Sequence, residues 1–100
     1  MSNYAIEMSH TAVSCPIFNA DIGKKFKEGA ARREKAAEKY KVKVLASCVA
    51  VLEHWIFYLV EANSRSSIED YLKETGWAVY NNVRIREVDS IEEATKRWIT

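Results

Sequence analysis

Apolar and polar positions alternate from Tyr4 to Ala12: Tyr4, Ile6, Met8 and His10 point one way, Ala5, Glu7, Ser9 and Thr11 the other. A period of two predicts a strand with one wetter face. Pro16 interrupts it, and Asn19 or Asp21 then offers the N-cap of a helix running to about Tyr40. Its apolar stripe, Ile22, Phe26, Ala30, Ala37 and Tyr40, recurs at helical spacing. Gly29 to Ala31 keep the stripe narrow, which lets the helix lie close to a sheet. Asp21 with Lys25, and Glu28 with Arg32, form i,i+4 pairs on the wet side.

From Lys41 to Glu61 the chain turns β-branched and aromatic, with Val42, Val44, Val49, Val51, Trp55, Ile56, Phe57, Tyr58 and Val60. The segment is too long for one strand, and Leu52-Glu53 interrupts it near the middle, so two strands joined by a short hairpin are expected. Asn63 to Ser67 reads as a polar loop. Ser66 with Glu69 forms a capping box for a short helix through Ile68, Tyr71 and Leu72, ended by Gly76. Trp77 to Tyr80 extends it irregularly, Asn81-Asn82 is a turn, and Val83 to Val88 alternates as a fourth strand. Ser90 with Glu93 caps a final helix that carries Ile91, Ala94 and Trp98 on one side.

The order β-α-β-β-α-β plus a C-terminal helix is the split β-α-β pattern. It predicts an α+β fold: one ferredoxin-like domain spanning residues 1–100, its antiparallel sheet in the order 4-1-3-2. The first strand is then central, and two helices cover one sheet face while the other stays open. The third strand is apolar on both faces, so the open face is an interaction surface, and a homodimer that covers it is expected.

Composition changes this picture little. The chain has 100 residues, 48% hydrophobic and 29% charged, which suits a folded domain and argues against disorder. The net charge of +1 creates no global field toward nucleic acid or membrane. Residues 1–50 hold nine basic and five acidic residues against six and nine in the second half, chiefly because of the segment Lys24 to Lys43. The uncharged run Val44 to Leu52 is far too short to span a bilayer, and the N-terminus has no signal-peptide pattern. A cytoplasmic location with Cys15 and Cys48 as reduced thiols is the expectation.

The element order, with a hairpin feeding the strand Trp55-Ile56-Phe57-Tyr58-Leu59-Val60, resembles the dimeric α/β-barrel group of ferredoxin-like proteins, including small GYD-type domains. The resemblance spans Tyr4 to Val88. Where a Gly-Tyr-Asp would stand, this chain has Leu52-Glu53-His54. The wider group includes cofactor-free monooxygenases, lactone isomerases, haem-dependent enzymes and ligand-sensing domains, so the resemblance implies a barrel dimer and leaves the reaction open.

Two constellations are able to carry chemistry. His10 ends the first strand, His54 begins the third and Cys15 leaves the first strand, so all three fall near one end of the sheet, with Glu53 beside them. Imidazoles and a thiolate hold zinc or iron, or a histidine activates the thiol, or the histidines act as acid and base. The plainer alternative is two ordinary histidines and a buried cysteine. Glu7, Ser9 and Thr11 with Arg84 and Arg86 make a polar floor on the open face, where the arginines suit a carboxylate or other anion. Trp55 and Tyr58 are its candidate aromatic walls. The plainer alternative there is a solvated Glu7–Arg salt bridge.

The basic helix (Lys24, Lys25, Lys27, Arg32, Arg33, Lys35) has Glu28, Glu34 and Glu38 interspersed and reads as a solvated face. No nucleic-acid partner is therefore expected. The pattern singles out no cofactor. It leaves two classes: a small-molecule-binding or catalytic protein that takes an anionic or aromatic ligand in a cavity of the dimeric barrel, or a non-enzymatic interaction module that dimerises through its open sheet.

Overall fold

The computed structural model describes residues 1–99. Tyr4, Ile6 and Met8 are buried in strand β1 (Ser2–Ser9), as their alternation requires. The strand stops at Ser9, so Thr11 lies outside it and does not join Glu7 and Ser9 on the sheet. Helix α1 (Ala20–Tyr40) begins at Asn19, whose side chain accepts from the Ile22 backbone N–H at 3.1 Å. Lys41, at φ 55°, ends it in the left-handed conformation.

The buried line on α1 differs from the expected stripe. Ala30 is exposed, and Gly29 and Ala36 are buried. Arg33 is not part of a solvated basic face: its guanidinium lies 4.5 Å from the Trp77 ring centroid and 5.0 Å from that of Phe26. The close approach made by Gly29 is to a helix end, not to the sheet. A Cβ there would stand 1.9 Å from the Thr75 carbonyl oxygen.

Strands β2 (Lys43–Ala50) and β3 (Trp55–Ala62) flank a 3-10 turn at Val51–Glu53. Helix α2 (Arg65–Glu74) is capped by Ser64, which accepts from the Ser67 N–H at 3.3 Å, so the expected Ser66/Glu69 box is not the cap. Gly76, at φ 82°, supplies the turn into the four-residue helix α3 (Trp77–Tyr80). Strand β4 (Asn82–Val88) follows, then α4 (Ile91–Trp98), capped by Ser90 on the Glu93 N–H at 3.0 Å.

The antiparallel sheet runs β2-β3-β1-β4, so β1 lies between β3 and β4; counted from the β4 edge the order is 4-1-3-2. Helices cover one face only. Ile6, Met8, Val60, Ile68 and Leu72, each nearly or fully buried, form the centre of the core between them. Burying each such side chain contributes about 1.5–3 kcal/mol. No helix among the described residues is long and apolar enough to cross a membrane.

Candidate functional site

One end of the sheet gathers the histidines and a cysteine. His10 follows β1, and its backbone N–H donates to the His54 carbonyl at 3.2 Å, extending the β1–β3 ladder by one pair. His54 ends the 3-10 turn at φ 56°, ψ 43° and so enters β3 from a left-handed conformation. Histidine tolerates that region better than most residues, and the turn requires it. Cys15 closes an earlier 3-10 turn, Ala12–Ser14, where its N–H donates to the Ala12 carbonyl at 3.3 Å. It is 2% exposed. Ligand atoms of His10, Cys15 and His54 all lie within 4.8 Å of one another.

Asn81 settles which nitrogen of His10 is free. Its Nδ2 donates to the Trp77 carbonyl at 3.0 Å, which turns Oδ1 toward His10. Nδ1 of His10 lies 2.8 Å from that oxygen and must donate to it. A neutral His10 therefore presents Nε2 as a bare lone pair. That Nε2 is buried without a hydrogen-bond partner, and so is Nδ1 of His54. An unmade hydrogen bond on a buried polar atom is costly, so one on each of two histidines whose rings lie 5.2 Å apart points to a missing partner.

Aromatic rings enclose the cluster. Tyr80 meets His10 edge-on at 5.3 Å, Phe18 meets His54 at 6.2 Å, and the two imidazoles meet at 5.2 Å. Tyr58 joins this wall from the core through Trp77, 5.8 Å away. Burial pushes the Tyr80 hydroxyl up to about 12, so it stays protonated and able to donate. Its oxygen is also buried without a partner. Outside, Phe18 and Leu52 are exposed, leaving an apolar rim.

The second constellation is brought together only in part. Glu7 and Arg84 are cross-strand partners, and Arg86 lies 3.9 Å from Glu7. With Ser9, Trp55 and Asn82, Glu7 and Arg84 line a shallow cavity of about 480 Å³. The Glu7–Arg86 pair is mostly solvated, and such pairs contribute ~0–1 kcal/mol. Trp55 and Tyr58 do not share this floor. They differ by three positions on one strand, so Trp55 stands on the open face while Tyr58 is buried beneath the helices. Glu53 is exposed within the turn and is absent from the histidine–cysteine cluster.

Sequence reasoning missed Asn81, Tyr80 and Phe18. The Asn81-Asn82 pair signals only a turn, and its service to His10 depends on a contact 71 positions away along the chain.

No family model and no curated protein matches the chain. Among solved structures it is similar to an unknown protein from Galdieria sulphuraria, at 14% identity and a TM-score of 0.55, over 90% of this chain and 46% of that one. It is also similar to a REP-associated tyrosine transposase bound to a REP hairpin, at 6% identity and 0.55, over 96% of this chain and 61% of that one. The chain thus spans less than two thirds of either. At these identities the likeness shows a shared fold: a small α+β domain with a four-stranded antiparallel sheet.

Proposed function

We propose that this chain is a metal-dependent small-molecule-binding or catalytic protein, with His10, Cys15 and His54 holding one divalent transition ion of the zinc class. The carrying observation is the pair of buried, unpartnered imidazole nitrogens beside a buried thiol. Zinc accepts this donor set, and three protein ligands leave a fourth position for water or substrate. Tetrahedral ligation brings such donors to about 3.5 Å from one another, so the cluster contracts by roughly 1 Å on loading. Asn81 supplies the outer hydrogen bond that a ligating histidine needs to fix its tautomer. Tyr80, kept neutral, donates toward an oxygen bound at the open position. The apolar rim of Phe18 and Leu52 favours a ligand with an apolar or aromatic body, and a bound ion favours an anionic head.

The same reading takes the domain as ferredoxin-like, cytoplasmic and homodimeric. Both cysteines are free thiols, as a Cys15 ligand requires. A nucleic-acid partner is not proposed, because the net charge is +1 and Glu7 and Glu61 sit among the open-face residues. The test is metal content by mass spectrometry of purified protein, before and after chelation, with cobalt substitution. One ion per chain and a thiolate-to-cobalt band, both lost in Cys15→Ser and His54→Ala, are expected. Protein that retains no metal and gives no such band overturns the reading.

A further inference from the structure

The open sheet face is divided lengthwise. Across it, Ala46, Leu59, Ala5 and Arg86 form one row; Cys48, Phe57, Glu7 and Arg84 the next; Ala50, Trp55, Ser9 and Asn82 the third. In these three rows the β2–β3 half is apolar and the β1–β4 half is mostly polar; beyond them, at the end where Lys43 pairs with Glu61, the strip turns charged. Trp55 and Phe57 stack at 6.0 Å within the apolar half. That strip is two strands wide, about 10 Å, and about 13 Å long over Ala46–Ala50.

Helix α4 carries the matching surface. Ile91, Ala94 and Trp98 lie along one side, and Ile91 and Trp98 are 81% and 75% exposed. Eight residues make a helix about 12 Å long and 10–12 Å across, the dimensions of the strip. The helix does not lie on the strip of its own chain, since Ile91 and Trp98 stay exposed. Its root lies at the far end of the sheet, where Asn3, Glu61, Glu93 and Arg97 line a groove, and Arg97 pairs with Asp89 in the two-residue linker.

The whole chain carries surface to spare. Its accessible area is 6759 Å², whereas a folded monomer of 11.5 kDa exposes about 5,800 Å². The excess, about 950 Å², is close to the ~800 Å² that one partner contributes to a standard interface. The radius of gyration, 14.8 Å, likewise exceeds the roughly 13 Å of a compact chain of this length.

We propose that two copies exchange α4 about a two-fold axis, each laying Ile91, Ala94 and Trp98 on the partner's Trp55/Phe57/Leu59 strip. This rests on the homodimer reading above and names its contacts. A face-to-face barrel of two sheets would instead bury Glu7, Arg84 and Arg86 along with the strip, whereas one helix covers only the apolar half.

Light scattering after gel filtration, with the rate of thiol labelling at exposed Cys48, tests it. The wild type should show twice the 11.5 kDa chain mass. The Ile91→Glu/Trp98→Glu variant should be monomeric with unchanged helical circular dichroism. Cys48 should label at least about tenfold faster in that variant. A monomeric wild type refutes both the homodimer and the exchanged helix. A dimer that survives the double substitution with unaltered Cys48 labelling refutes the exchange alone and leaves sheet-to-sheet pairing.

Discussion

Replacing Gly29 by alanine tests how closely α1 and α2 meet. At an unconstrained helical site, Gly→Ala stabilises by up to about 1 kcal/mol, because glycine gives up more backbone freedom on folding. At Gly29 the added Cβ would lie 1.9 Å from the Thr75 carbonyl oxygen and 2.8 Å from its carbon. Both are backbone atoms at the end of α2, and no side chain can swing aside. Restoring ordinary contact requires the helices to separate by about 1.5 Å, in an interior packed as densely as an organic crystal. Overpacking of this kind costs about 1–3 kcal/mol, and the lost fit of Ile68 and Leu72 adds to it. A net loss of about 1–3 kcal/mol lowers the melting temperature by roughly 5–20 °C in a chain of this size. Thermal and urea unfolding followed by helical circular dichroism measure it, with Ala30→Gly on the exposed side of α1 as the reference, expected to lose only about 1 kcal/mol. A Gly29→Ala protein as stable as the wild type, or more so, would refute the close approach.

Asn81→Ala frees the His10 ring and should weaken metal affinity about 10- to 100-fold while leaving one ion per chain at saturation; competition with a chelating dye reads the change. Ser64→Ala should cost about 1 kcal/mol of stability and Ser66→Ala almost none, since only Ser64 caps α2; urea midpoints decide between them. Burial raises the hydroxyls of Tyr58, Tyr71 and Tyr80, the last to about 12 from an ordinary 10.0. Because the fold favours their neutral form, their contribution is complete below about pH 10 and is lost as the pH rises through their raised values. Tyrosinate absorbance should therefore appear together with loss of near-ultraviolet circular dichroism; full ionisation of the native fold below pH 11 would contradict it. Hydrogen bonds from Lys39 and Tyr40 hold the Glu74 carboxyl below its usual range, so its contribution is present above about pH 4.5 and fades as the pH falls through the lowered value. Glu74→Gln should flatten that part of an acid unfolding curve.

Local patterning made the elements legible. Tyr4, Ile6 and Met8 alternate because a strand buries every second residue, and Asn19 and Ser90 cap helices because their side-chain oxygens reach N–H groups three residues on. Strand ends were also enough to bring His10, Cys15 and His54 to one end of the sheet, since neighbouring antiparallel strands bring the end of one beside the start of the other. Where two local signals competed, the pattern failed. Ser64 and Ser66 both suit a cap, and the structure starts the helix at the earlier one. Ala30 and Gly29 both suit a helix face, and only the approach of Thr75 selects the residue without a side chain.

The sequence by itself determined the element types, their order and which strand faces are apolar, because each follows from interactions within a few residues along the chain. Tertiary structure alone decided that Arg33 packs on Trp77 from another helix. It also decided that Asn81 dictates the proton on His10, leaving Nε2 without a partner in the cluster with Cys15 and His54. Those relations join residues tens of positions apart. No local energy encodes them; they arise when the sheet and helices close on a shared core.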